Sequence, residues 1–311
     1  MSKAELLRAM EHVDTTNYRW NLYFLKIDRR NPNPYYVYKH TFKSTTYLPD
    51  YVMALRDTVV QYQINPLESV QEYDGQNSKT SCDKICVDNI LIKEQWSNMY
   101  ASVAGAPREQ ISGKYQGYIV DGQPINPNDH AITIIKTGNP LISLEKKNSK
   151  VFKHTATDEL EHITDELCRL YMIADFMIIG DMLYSFNHNF EGIFHIEKTL
   201  HRLKGQAIDY IMDTQAFAQS EKVLSYMNAY TAPKTFLTLR AQRVEKLNSM
   251  EGRKEIAERL NLRINDGKIV LEEQEQANQL IKYLCYKIFQ DKETDKLIEV
   301  NSAVNDNVLK V

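Results

Sequence analysis

Apolar residues recur along this chain with two periods, and the points where the period changes divide it into elements. Leu6, Leu7, Met10 and Val13 share a helical face, so the chain opens with a helix. Tyr18–Ile27 is dense in aromatic and β-branched residues and predicts a strand; Asn31–Pro34 turns the chain and Tyr35–Phe42 returns. Val52, Leu55 and Val59 predict a helix over 51–61, and Asp74–Ser81 reads as a loop. Short strands are expected at Tyr115–Val120, Ala131–Ile135 and Leu141–Leu144, with turns between them. From Asp158 to Leu170 the period becomes helical through Leu160, Ile163, Leu167 and Leu170. Two apolar runs, Ile173–Ile179 and Met182–Phe186, flank Gly180-Asp181 and predict a β-hairpin that is covered on both faces. Helices are expected over 190–213, 221–227, 234–250 and 256–260, then an Asp266-Gly267 turn into a strand at Lys268–Leu271 and a final helix over 273–289. The expected fold is α+β: a strand-rich N-terminal half with a mixed sheet, and a helix-rich C-terminal half containing a β-hairpin. The expected domains are 1–155 and 156–311, meeting at Thr155–Thr157.

With 311 residues, 43% of them hydrophobic and 25% charged, the composition is that of a globular protein able to bury a sizeable core. The longest apolar stretch, Met172–Leu183, is interrupted by Asp175, Gly180 and Asp181 and falls short of the roughly 20 residues a membrane-spanning helix needs. The N-terminus has helical spacing where a secretory signal would need an apolar run, so a cytoplasmic location is expected. Four cysteines give no disulfide framework, and reduced thiols are expected.

A net charge of −3 argues against bulk attraction to nucleic acid or anionic lipid, but the charge is unevenly spread. Lys136, Lys146, Lys147, Lys150 and Lys153 stand against Glu145 alone; Ala156–Glu197 carries nine acids against Arg169; Lys198–Arg263 carries 12 bases against 7 acids. Two basic blocks around an acidic one could form a phosphate-binding surface, or could be ordinary solvated faces that pair with one another. Within 234–250, Arg240, Arg243 and Lys246 step every three residues beside an apolar face of Leu237, Ala241, Val244 and Leu247. Arg243 and Lys246 are expected to be exposed and Arg240 to lie nearer the apolar edge; Arg253, Lys254, Arg259 and Arg263 continue the basic series. Such a row can follow phosphates without reading bases.

Catalytic signatures are sparse. Gly113-Lys114 lacks the spacing and the Ser/Thr of an NTPase phosphate loop, and no dinucleotide fingerprint or nucleophile elbow occurs. The scattered histidines nominate no metal site, and no cofactor is expected. One arrangement has the order used by metal-dependent nucleases: Asp121 at a strand end, then Glu145 and Lys147, two carboxylates for Mg²⁺ and a lysine for the phosphate. Glu-x-Lys also arises easily on a charged surface, so both readings stand.

The order of segments from Ala131 to Leu203 carries a family resemblance. AITIIKTGNPLISLEKKNSKVF, then LYMIADFMIIGDMLYSFNHNFEGIFHIEKTL, and later TLRAQRVEKL and NDGKIVLEEQEQANQLIKYL resemble the KwaB-like family of the Kiwa anti-phage defence system over roughly 130–290. Residues 1–129 show no distinctive match, and CYKIFQDKETDKLIEV departs from the family pattern. The resemblance implies a soluble, dimeric protein that binds duplex DNA with little sequence preference and works with a small membrane-embedded partner of the KwaA kind, which would recruit it to the inner face of the membrane. It assigns no catalytic residue. It favours a DNA-binding role for Lys136, Lys146, Lys147, Lys150, Lys153, Arg240, Arg243, Lys246, Arg253 and Lys254 over a solvated surface. The alternatives are the nuclease above and a scaffold that never touches nucleic acid. A homodimer is also expected from the hairpin and from Phe190, Ile193, Phe194, His195 and Ile196, an apolar arc wider than one core needs.

Overall fold

The structure, a computed structural model, describes residues 2–75, 80–106, 114–142, 152–154, 160–162, 167–290 and 297–299. The chain forms two compact units, Met1–Glu72 with Ser78–His195, and Tyr73–Asn77 with Ile196–Val311. The fold is α+β, with a large mixed sheet in the N-terminal half and helices with a hairpin in the C-terminal half. The units part at His195/Ile196, beyond the expected 155/156 junction, because the hairpin after Ile173 pairs into the large sheet.

The first unit begins with α1 (Lys3–Glu11), closed by a capping box between Ser2 and Glu5. There follow β1 (Tyr18–Ile27), β2 (Tyr35–His40), α2 (Tyr47–Thr58) with a π-helical turn Val59–Ile64, β3 (Ser69–Glu72), β4 (Ser81–Cys86) and α3 (Lys93–Ala104). Next come β5 (Gly117–Pro124), β6 (Ile132–Thr137), β7 (Leu141–Ile142), β8 (Phe152–His154), β9 (Leu160–His162), β10 (Leu167–Cys168), β11 (Phe176–Ile179), β12 (Met182–Ser185) and α4 (Asn189–Ile193). Eight strands form one sheet in the order β2-β1-β5-β6-β11-β12-β4-β3, antiparallel throughout except for the parallel pair β3–β4. Alternate residues serve opposite faces. Leu22, Phe24, Val120, Ile134 and Met177 join α1 and α2 in one core. One residue before Met177, on the opposite face, Phe176 packs edge-on against Phe190 and Phe194. The hairpin is covered on both faces as its pattern predicts: β11 and β12 meet at Ile179↔Met182, and Gly180 turns at φ +61°. On β1 and β5, Trp20 lies opposite Gly122, and a Cβ at 122 would collide with its ring.

The expected helix over 158–170 is replaced, in the described part of that span, by β9 paired with β8 and β10 paired with β7. A single apolar stripe holds a helix only against a receiving surface, whereas neighbouring strands satisfy the backbone directly.

The second unit contains α5 (Ile196–Met212), α6 (Ser220–Ala229), α7 (Ala241–Glu245), α8 (Met250–Arg259), the hairpin β13 (Arg263–Asn265) and β14 (Lys268–Val270), α9 (Gln274–Leu284), and β15 (Ile288–Gln290) paired with β16 (Leu297–Glu299). Its core gathers Ile208, Phe217, Val223, Val244, Ile256 and Leu280. Two expected long helices are broken. The one over 190–213 parts at His195, which takes φ +51°, so that Phe190 and Phe194 pack in the first unit while Ile208 and Ile211 pack in the second. The one over 234–250 becomes a 3₁₀ stretch Pro233–Thr238, α7 and a 3₁₀ turn Lys246–Asn248. Thr238 Oγ1 donates to the Cys285 carbonyl at 2.7 Å, Arg240 is extended, and Ser249 caps α8 by accepting from Gly252 N at 3.0 Å. The last helix stops at Leu284, and Tyr286 turns the chain at φ +56° into β15.

Candidate nucleic-acid interface

Because Arg240 sits in the extended break before α7, its side chain leaves the apolar face and is exposed. Its guanidinium lies 5.5 Å from the Tyr286 ring. Arg243 is the half-buried one, the reverse of the expected order: it packs 3.6 Å from the centre of Tyr286 and 4.3 Å from that of Tyr283, and donates to the Tyr283 carbonyl. It thereby ties α7 to the end of α9. Lys246 is exposed but binds Glu255 at 2.8 Å, and Arg259 meets the same carboxylate at 3.1 Å. Arg253 donates from Nε to the Ser249 carbonyl at 3.2 Å, and Arg263 pairs with Glu272 at 2.7 Å. Lys254 is exposed on α8. The expected row is therefore split: Arg240 and Lys254 face solvent, while Lys246, Arg259 and Arg263 pair with the unit's own carboxylates and Arg243 and Arg253 donate to its carbonyls.

The first basic block is also divided. Lys136, at the end of β6, is 15% exposed and binds Asp175, 2% exposed, at 2.7 Å. Lys146, Lys147 and Lys150 lie outside the described residues, and Lys153 is on β8. Asp175 also accepts from Thr137 N at 2.7 Å, from the Thr137 hydroxyl and from Asn187 Nδ2 at 2.8 Å. Burial by itself would raise this carboxyl's pKa, but the hydrogen bonds from Lys136, Thr137 and Asn187 outweigh it and hold the pKa below the ordinary value. Nearby, His188 is gripped by two carboxylates, Asp83 at 3.0 Å from Nε2 and Glu191 at 2.9 Å from Nδ1. These bonds, first that to Asp83 and then that to Glu191, raise the imidazole pKa to about 9. This network was missed from the sequence, where Asp175 registered only as an interruption in an apolar run.

Of the nuclease set, Glu145 and Lys147 lie outside the described residues. Asp121 is 3% exposed on β5, accepts from Thr133 Oγ1 at 2.9 Å and Gln123 Nε2 at 3.0 Å, and has its pKa raised by burial. Its surroundings are those of a structural carboxyl. Among the described residues no group of three or more His, Cys, Asp or Glu side chains is placed to hold a metal ion. No helix among them is long and apolar enough to cross a membrane. The apolar arc of the dimer expectation is covered within the chain, since Phe190, Ile193, Phe194 and Ile196 are all buried.

A family model described as Kiwa protein KwaB-like matches residues 114–290, more than half of the chain. The chain belongs to the KwaB-like family. No curated protein and no solved structure matches it. Membership gives this KwaB-like protein a role in Kiwa anti-phage defence. The matched span starts earlier than the resemblance read from the sequence and takes in β5 and β6, the Lys136–Asp175 pair, His188, and the Arg240–Lys254 region.

Proposed function

We propose that this KwaB-like protein is a non-enzymatic effector that binds duplex DNA through its phosphates, with little sequence preference. It acts in the cytoplasm as a homodimer, beside a small membrane-embedded partner of the KwaA kind that brings it to the inner face of the membrane. The observation that carries the DNA reading is the pair of exposed cations Arg240 and Lys254, the first backed by the Arg243–Tyr286 stack. A guanidinium resting on an aromatic face is weakly hydrated and keeps its N–H groups for phosphate oxygens. Leu167, Tyr171, Met172 and Ile173 remain exposed and are the apolar surface a second copy would use.

Gel shifts with unrelated duplexes at about 50 and 200 mM salt test this reading. The expected result is similar affinity for all duplexes, falling steeply with salt. The double variant Arg240→Glu/Lys254→Glu should weaken every duplex alike and flatten the salt slope by about two. A second variant reversing Lys146, Lys147, Lys150 and Lys153 tests the other block. Absence of binding at low salt, or indifference to both variants, would overturn the proposal and leave the scaffold. Plasmid cleavage with Mg²⁺ that Glu145→Ala abolishes would replace it with the nuclease. Light scattering at micromolar concentration tests the dimer, and a mass near 36 kDa would refute it.

A further inference from the structure

A cleft of about 380 Å³ opens in the first unit, lined by Ile27, Arg29, Gln116, Thr137, Asn189, Gly192 and Ile193. Its size lies within the roughly 300–1,000 Å³ of small-molecule sites. The elements around it have already matched most of their own charge. Asp28, beside Arg29 in sequence, is held by Arg30 through both carboxylate oxygens at 2.8 Å. Asp175, beneath Thr137, is held by Lys136, and Glu191, between Asn189 and Gly192 in sequence, binds His188. Arg29 is exposed at the cleft and has no carboxylate among these to neutralise it.

The remaining lining mixes aliphatic and amide side chains. Ile27 and Ile193 offer apolar walls. Gln116 is anchored through Oε1, which accepts from Ile27 N at 2.8 Å, and so turns its Nε2 donors elsewhere. Asn189 donates from Nδ2 to Thr137 Oγ1 at 3.0 Å, which leaves its Oδ1 as an acceptor. One exposed cation, two pre-oriented amides and two aliphatic side chains complement a flat heterocycle that carries a phosphate. At Gly192 the cleft is open: a Cβ there would meet nothing within 4 Å, so a larger side chain at this position would project into free space.

We infer that this cleft binds a mononucleotide, with the phosphate on Arg29, the base between Ile27 and Ile193, and its polar edge on Gln116 and Asn189. The lining includes none of the cations proposed to bind duplex DNA, and its ligand is either a free nucleotide or the phosphorylated end of a strand.

Calorimetric titration of the full chain with AMP, GMP, CMP and UMP, the matching nucleosides, inorganic phosphate and a 5′-phosphorylated oligonucleotide tests it. At least one monophosphate should bind ten times or more tightly than its nucleoside and than phosphate. Arg29→Ala, a change at an exposed side chain, should bring that monophosphate to the nucleoside's affinity. Gly192→Leu, which fills the cleft, should abolish binding of both with an unchanged circular dichroism spectrum. Arg240→Glu should leave the monophosphate affinity unchanged even where duplex binding is lost. Tighter binding of the oligonucleotide identifies a strand end as the ligand, and equal or weaker binding identifies the free nucleotide. The inference is overturned if no monophosphate binds at millimolar concentration, or if binding survives Arg29→Ala unchanged.

Discussion

Replacing Lys136 by methionine would keep the aliphatic stem and remove the charge that faces Asp175. The pair is nearly closed to water, with exposures of 15% and 2%, so the carboxylate cannot recover its hydration when the ammonium goes. Breaking a buried pair in this way costs about 3–5 kcal/mol. Donors from Thr137 and Asn187 remain on the carboxylate, which puts the expected loss at the lower end, about 3 kcal/mol. For a unit of this size that corresponds to about 6–12 °C in Tm. The pH dependence gives an independent check. In the native chain the folded pKa of Asp175 is depressed, so its stabilisation is present above the unfolded value and is lost as pH falls through the folded one. In Lys136→Met burial prevails, the folded pKa rises, and the variant's deficit shrinks on acidification as the native state takes up the proton. Urea denaturation followed by circular dichroism at pH 7.5 and 5.0 measures both effects, and Lys136→Met/Asp175→Asn should recover more than half of the loss. A single variant within 1 kcal/mol of the parent, or a double variant no more stable than the single, would refute the buried-pair reasoning.

Two further outcomes follow from local geometry. His188 has a folded pKa raised from 6.5 to about 9, so its stabilisation is complete below pH 6.5 and disappears as pH climbs through about 9. His188→Gln should flatten that decline in a series of melts from pH 6 to 9.5, and an identical slope would show that the imidazole does not bridge Asp83 and Glu191. Gly122→Ala drives a methyl into the Trp20 ring and should cost about 1–3 kcal/mol in urea unfolding, with a shift in tryptophan emission; a neutral substitution would place the indole elsewhere.

What could be read from the sequence was mostly local. Tyr18–Ile27, the hairpin around Gly180 and the Asp266-Gly267 turn carry their signals within a few residues, and all three form. Both Asp266 and Gly267 have positive φ, as a two-residue turn between right-twisting strands requires. The helical period failed where one apolar stripe had to serve two destinations, at His195, and where side-chain hydroxyls competed for the backbone, at Thr238 and Ser249. Those breaks exchanged the places of Arg240 and Arg243, so the basic row was visible but its exposed members were not. The Lys136–Asp175 and Asp83–His188 contacts each tie a strand residue to a segment flanking the β11–β12 hairpin, and these meet only through the sheet order, which no spacing along the chain encodes. The cleft was likewise invisible, since Ile27 and Arg29 lie far along the chain from Asn189 and Gly192, with which they share it.

The place of the hairpin in the sheet sets a timetable for synthesis. β6 and β4 are both made before residue 140, yet β11 and β12 lie between them. Until those strands leave the ribosome, β2-β1-β5-β6 and the parallel pair β4-β3 have no hydrogen-bonded link, and each offers an open edge where the hairpin will later sit. At about 5–20 residues per second, the interval between the end of β6 and the end of β12 lasts several seconds. During it the nascent chain carries two unpaired strand edges, the kind of surface on which chains aggregate. Closing the sheet thus comes late in the making of the first unit, and a chain stopped before Phe176 would be two half-sheets without the strands that join them.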